Sequence, residues 1–385
     1  MKRYEILDGM RGIAAICVMF GHASAALSKH PIFFSGSIAV DLFFILSGFV
    51  ISHAYGTREN INFKEFFARR LIRLYPMFLF GLTFGAVVLF FYSRDNLSDY
   101  STFDIFLSFI ANALYIPYFN NHGIVTFDDQ NSYGVLFPSN DPSWSLCFEI
   151  FINLFFFAIL RLGLRKIILF SGLSFISMLA VGVVSSLIHG KLGVELEGGW
   201  GADNFIDGVP RVAYGFSMGI ALNILVTGNF FKRVENALKG RASIPYFLFF
   251  AMITIFAFPN IKHVSTTYYL VSITAFCPVL VVFGALCHHQ SLHINYVSGF
   301  LGWISYPVYC IHFPIIRFVK TIYENGYGIT VHPFFVACGS AVFAAALVTK
   351  YYDEPVRAML TRKLGGRFSR SGRAAGSIST YTKTR

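Results

Sequence analysis

Apolar runs of about 20 residues recur along the chain between short polar stretches. They lie near 12–29, 37–55, 72–92, 144–161, 167–188, 208–227, 245–259, 268–288, 298–321 and 332–350. A helix of roughly 20 apolar residues crosses the ~30 Å hydrocarbon core of a bilayer. The pattern predicts an all-α, polytopic membrane protein with about ten transmembrane helices. An eleventh run, 103–118, is shorter, and loop charge decides its place. With ten spans and the N-terminus inside, three basic loops fall in the cytoplasm: Arg58, Lys64, Arg69 and Arg70; Arg161, Arg165 and Lys166; and Lys232, Arg233, Lys239 and Arg241. Counting 103–118 as a span would put Arg161, Arg165 and Lys166 outside, against the positive-inside rule. That stretch is therefore expected to be a re-entrant or interfacial helix on the outer side. Two outer loops result, about 93–143, which includes Asp128, Asp129 and Asp141, and about 189–207, with Glu195, Glu197, Asp203 and Asp207.

Composition supports this reading. Of 385 residues, 55% are hydrophobic and 13% charged, and the mean hydropathy is +0.59. A soluble domain carries charged residues at about 25%, so a large soluble core is excluded. The formal charge of +11 belongs to topology and anionic lipid rather than to nucleic acid. All six cysteines (Cys17, Cys147, Cys277, Cys287, Cys310 and Cys338) fall within or at the ends of apolar segments, with no disulfide or CxxC pattern. The N-terminus resembles a signal peptide at Ala23-Ser24-Ala25. Glu5 and Asp8 weaken its basic region, however, so it is expected to be a retained span. The expected organisation is a membrane unit over 1–357 and a basic cytoplasmic tail over 358–385, Gly/Ser/Arg-rich and disordered from Gly365.

The candidate chemistry lies inside the apolar runs. Arg11 and His22 are eleven residues apart, so on a helix they share a face and stand roughly 16 Å apart along it. An ionisable group within a membrane is costly to place and marks a functional candidate. Asp41 sits just inside the outer end of the second span, where it would orient an imidazole, accept a proton or pair with a cation. Gly48, on nearly the same face, lets a neighbouring helix come close. Arg69, Arg70 and Arg73 precede Pro76. Arg70 and Arg73 project from one face of a helix end, and with Arg11 they suit a phosphate clamp. The fourth span opens DPSWSLCFEI, with Trp144 as an interfacial anchor and Glu149 below it, which must be paired or protonated. Ser305, Tyr309 and His312 follow i, i+4, i+7 spacing and make a polar stripe, on a helix that Pro307 and Pro314 are expected to kink. Asp353, Glu354 and Arg357 form a candidate ion cluster at the membrane edge. His288, His289 and His293 lack a carboxylate or thiol at usable spacing, so no metal site is assigned.

Taken together, the LDGMRG…H arrangement, the VDLFFILSGF run, the RR-x-x-R-x-YP cluster, the WSL-x-x-E motif, the LG-x-ISY-x-x-Y-x-x-H stretch and the closing DEP resemble the acyltransferase 3 family. The likeness runs over nearly all of 5–357. It departs at Cys147 and Phe148, where the family often has small residues or valine. The esterase-like domain of some members has no counterpart in these residues. The resemblance implies a multi-pass protein, in the bacterial inner membrane with both termini cytoplasmic. It would move an acyl group, usually acetyl, from cytoplasmic acyl-CoA to a hydroxyl of a polysaccharide or lipid-linked glycan, with no permanently bound cofactor. Carried onto this chain, it implies His22 as the catalytic residue, with Asp41 and Glu149 contributing. Arg11, Arg70 and Arg73 would hold acetyl-CoA, and Trp144, Ser145, Tyr309 and His312 would contact substrate. Partners are then acyl-CoA, the glycan acceptor and membrane lipid, and no nucleic acid. His22 would act as a general base or take the acyl group itself. The rival readings are a transporter of a glycan or small molecule, which would show flux without acyl-CoA, and a sensor that binds ligand without turnover.

Overall fold

In the computed structural model the described residues are 4–27, 35–56, 62–125, 131–159, 162–258, 265–287, 291–324 and 331–364. His288, His289, Arg58, Arg161, Asp128, Asp129 and the tail from Gly365 lie outside them. The described residues form twelve helices. They are α1 (Glu5–Leu27), α2 (Gly36–Tyr55), α3 (Phe63–Arg94), α4 (Thr102–Ala113), α5 (Ser143–Ile159), α6 (Leu164–Ile188), α7 (Gly208–Thr227), α8 (Lys232–Leu238), α9 (Ile244–Phe256), α10 (Ser265–Leu286), α11 (Leu292–Glu324) and α12 (Pro333–Leu364). A two-stranded antiparallel hairpin, Gly123–Val125 with Asn131–Tyr133, joins α4 to α5.

Eight helices are long and apolar enough to cross a membrane. The protein is an integral, multi-pass membrane protein. The other two expected spans correspond to α5 and α9, of 17 and 13 residues. Single π turns interrupt α10 at Ser272–Phe276 and α12 at Thr349–Asp353. The last helix runs on to Leu364, seven residues into the segment expected as tail, and carries Arg357 and Arg362 with it.

Two close helix pairs frame the interior. Along α1 and α11, Asp8 lies against Gly302, Gly12 against Leu301, and His22 meets His312, so the pair runs parallel. A methyl group at Gly12 would come within 2.5 Å of the Leu301 backbone. Helices α2 and α7 also run parallel. Asp41 meets Arg211, and side chains at Gly48 and Gly219 would each fall 2.0 Å from a facing carbonyl, of Phe216 and Ile45. Small residues permit this approach, which maximises packing where lipid removes the hydrophobic drive.

Parallel neighbours need an odd number of crossings between them. Helices α3, α5 and α6 separate α2 from α7, and α2, α3, α5, α6, α7, α9 and α10 separate α1 from α11. Both counts are odd when α4 stays at one face. Its 12 residues reach only ~18 Å. Helix α4 buries Ile105, Ser108 and Asn112 and exposes Phe103, Phe106, Ile110 and Leu114, the amphipathic pattern of an interfacial helix. Ser101 and Asp104 cap its start reciprocally.

Candidate active site

A narrow cavity opens near the membrane face that carries the N-terminus, with about 60 Å³ of internal space. Five helices build its polar wall: Arg11 from α1, Ser47 from α2, Arg70 and Arg73 from α3, Ser145 and Glu149 from α5, and Ser305, Tyr306 and Tyr309 from α11. The arginines lie on a helix interior rather than at a helix end. Helix α3 starts nine residues earlier than the expected span, where the Asn62 side chain accepts from the Lys64 N–H and fixes the first turn. Arg70 and Arg73 share a wall as their spacing predicts, but Arg70 is turned to Glu149 at 3.0 Å. Ser47 Oγ donates to the same carboxylate oxygen at 3.1 Å. Glu149, which had to be paired or protonated, is thus paired with Arg70, and Arg11 and Arg73 complete the basic wall.

Tyr309 closes the deep end. Its hydroxyl and Ser145 Oγ lie 2.7 Å apart, and its ring is 5.8 Å from that of His312. His312 Nδ1 is 3.0 Å from both the Val308 and Tyr309 carbonyls of its own helix. A carbonyl only accepts, so Nδ1 carries the proton and the lone pair is on Nε2. His22 Nδ1 lies 2.9 Å from that Nε2, so His22 donates from Nδ1 and keeps its own lone pair on Nε2. The rings stack with planes 4° apart. Phe313 meets His22 edge-on and lies beneath the Arg317 guanidinium at 4.5 Å. Helix α11 runs through both prolines. Pro314 cannot bond the Cys310 carbonyl, and Asn140 Nδ2 donates to that oxygen instead, at 2.7 Å.

Asp41 lies in a different constellation. Arg211 Nε and Nη2 donate to its two oxygens at 2.8 and 3.1 Å, and the Tyr269 hydroxyl adds a bond at 2.6 Å. Arg211 also donates to the Gly198 and Ser37 carbonyls. Trp144 stacks under the same guanidinium, 5.4 Å from its centroid. Of the roles open to Asp41, the structure places it in a pair with a cation, and Trp144 packs on that same cation. Three donors bind the carboxylate, and both residues are tied to a buried cation that fastens α2 to α7, α10 and the loop before α7. Arg211 went unread in the sequence, as did Arg317. The available signal was an arginine inside a span at its outer end, against the charge bias of the rest.

In that outer loop, Lys191 donates to Glu195 at 2.6 Å, and this bond, with His189 behind it, holds the carboxyl below its usual range. At the other edge, α12 adds an Asp353–Arg357 pair at 2.8 Å and a Trp303 Nε1–H bond to Glu354 at 2.8 Å. Among the described residues no three His, Cys, Asp or Glu side chains gather as a metal site.

Residues 4–350 match the acyltransferase-domain family that the sequence motifs resemble, acyltransferase 3, and the chain belongs to that family. A Bacillus subtilis protein provisionally named a peptidoglycan O-acetyltransferase is 24% identical over 370 residues, covering 91% of this chain and 54% of its own length. A provisionally named O-acetyltransferase of Staphylococcus aureus strain COL is 25% identical, covering 93% of this chain and 58% of its own. A shorter match, 42% identical over 88 residues, is to protein 2 in the picA locus of Rhizobium radiobacter, covering 22% of this chain and 45% of that one. The chain thus spans about half the length of these relatives. No solved structure matches it.

Proposed function

We propose that this member of the acyltransferase 3 family is a membrane O-acyltransferase, with acetyl-CoA as donor and a hydroxyl of a polysaccharide or lipid-linked glycan as acceptor. The N-terminal face is the cytoplasmic one, of a bacterial inner membrane. One observation carries the reading: a basic cavity open at that face ends at Tyr309, a ring contact from the His312–His22 pair. A phosphorylated donor enters by its basic end, and its thioester lies toward the histidines. His22 Nε2 takes the proton of the acceptor hydroxyl, the oxygen attacks the thioester carbonyl, and the CoA thiolate leaves. His312 fixes the His22 tautomer and is a positioning residue, as the third member of a hydrolase triad is. The Ser145–Tyr309 hydroxyls are placed to donate to the carbonyl oxygen as charge develops.

The test uses purified protein in lipid vesicles with radiolabelled acetyl-CoA, wild type beside His22→Ala. Wild type moves label to water or to added lipid-linked glycan, and His22→Ala inserts and binds donor without moving label. Normal transfer by a well-folded His22→Ala protein would sink the assignment.

A further inference from the structure

Arg73 lines two cavities. Beyond the one already described, it borders a second at the same face, with about 710 Å³ inside it, walled also by Tyr55, Arg69, Arg357, Thr361 and Arg362. Six of its lining residues come from the last three turns of α12, past residue 350 where the family match ends. Glu354 is its one acid, and Trp303 holds that carboxylate. Arg69 and Arg357 each keep an acidic partner on their own helix, Glu65 and Asp353, and Arg73 and Arg362 face the space as well. An open basin with four guanidinium groups suits a multiply charged anion.

We propose that this basin holds the 3′-phosphorylated nucleotide end of acyl-CoA, while the pantetheine arm and thioester run past Arg73 into the inner cavity. This rests on the donor assigned above and adds to it that recognition is split between two cavities. Arg73, on the shared wall, faces the pyrophosphate. Arg362, with Arg357 on the same helix and Arg69 on α3, faces the 3′-phosphate. The inner cavity alone would accept any acylated pantetheine. The outer basin makes the enzyme select a 3′-phosphonucleotide donor, and the end of α12 is the selecting element.

The experiment compares binding of acetyl-CoA, acetyl-3′-dephospho-CoA and adenosine 3′,5′-bisphosphate to the full chain in nanodiscs, at low and high salt, for wild type and Arg362→Gln. The substitution lies one turn or less from the end of α12 and removes no described ion pair, and an Arg362→Glu variant serves as a second reading. Wild type binds acetyl-CoA about tenfold more tightly than the dephospho form, a preference that shrinks with salt. Arg362→Gln brings that ratio close to one, Arg362→Glu inverts it, and both weaken the bisphosphate. Equal binding of the two acetyl donors by wild type, or an unchanged ratio in both variants, overturns the basin as nucleotide site and leaves the donor intact. Failure of wild type to bind any of the three overturns the donor assignment and this inference together.

Discussion

Replacing Asp41 by Asn tests whether that carboxylate is structural or chemical. Arg211 is 1% exposed and Asp41 3%, so the pair has no water to fall back on. The guanidinium makes two bonds to the carboxylate and two to carbonyls, joining α2, α7 and the Gly198 loop, and Tyr269 brings in α10. Removing one partner of such a pair strands a buried charge at a cost of about 3–5 kcal/mol, a large part of the ~5–15 kcal/mol that holds a protein folded. Asp41→Asn should therefore lose about that much stability, and activity per milligram should fall with the folded fraction. The double variant Asp41→Asn/Arg211→Met removes the stranded cation and should recover most of the loss, giving a coupling energy of at least ~2 kcal/mol in the cycle. The assay is denaturant or thermal unfolding in nanodiscs beside the transfer rate per folded molecule. Asp41→Asn within ~1 kcal/mol of wild type would refute the structural reading. A double variant as stable as wild type but without transfer would return Asp41 to the chemistry.

Three further outcomes follow from named contacts. His312→Ala should lower kcat about a hundredfold with little change in donor KM, because His22 loses the acceptor that fixes its tautomer, and His312→Gln should recover part of the loss through its amide oxygen. Gly48→Ala, whose methyl would fall 2.0 Å from the Phe216 carbonyl, should destabilise by roughly 1–3 kcal/mol, whereas Gly339→Ala, with open space around it, should be neutral or better, as unfolding of the two proteins in nanodiscs will show. Asp104 is held below its usual range chiefly by the Ser101 hydroxyl. Its contribution is therefore full above the unfolded value of 3.8 and is lost as pH falls through the lower folded value. Asp104→Asn should cost about 1 kcal/mol at pH 7, and the gap to wild type should close in an unfolding series taken down to pH 3.

What the sequence showed and what it hid divide along the membrane normal. Hydropathy and loop charge located the spans because both are properties of single segments. The short α4 was set apart by loop charge, and the parallel pairing of α1 with α11 and of α2 with α7 requires the same parity. The polar contents of the spans were readable only as unusual residues, since their partners lie far along the chain: Asp41 and Arg211 are 170 apart, and His22 and His312 are 290 apart. A lone intramembrane carboxylate gives no hint whether it faces a substrate or a cation. Glu149 and Asp41 were both read toward chemistry, and both are held by arginines. The basic residues themselves were divided by which side they were on. Those at the N-terminal face were noticed because charge bias made them conspicuous as a cluster, yet that bias is also their simplest explanation. Arg211 and Arg317 lie in the parts of their spans away from the N-terminal face, outside the basic cluster, and each is buried against a named partner. An arginine that topology does not require must be retained for a local contact, so in a chain of this kind the basic residues that break the positive-inside rule are the ones that mark where helices are fastened. By that argument the fastening of the bundle lies in the half away from the N-terminal face, at Arg211 and Arg317. At the N-terminal face Arg70 pairs with the half-buried Glu149 and Arg357 with the buried Asp353, while Arg11 and Arg73 line the cavity proposed for the donor.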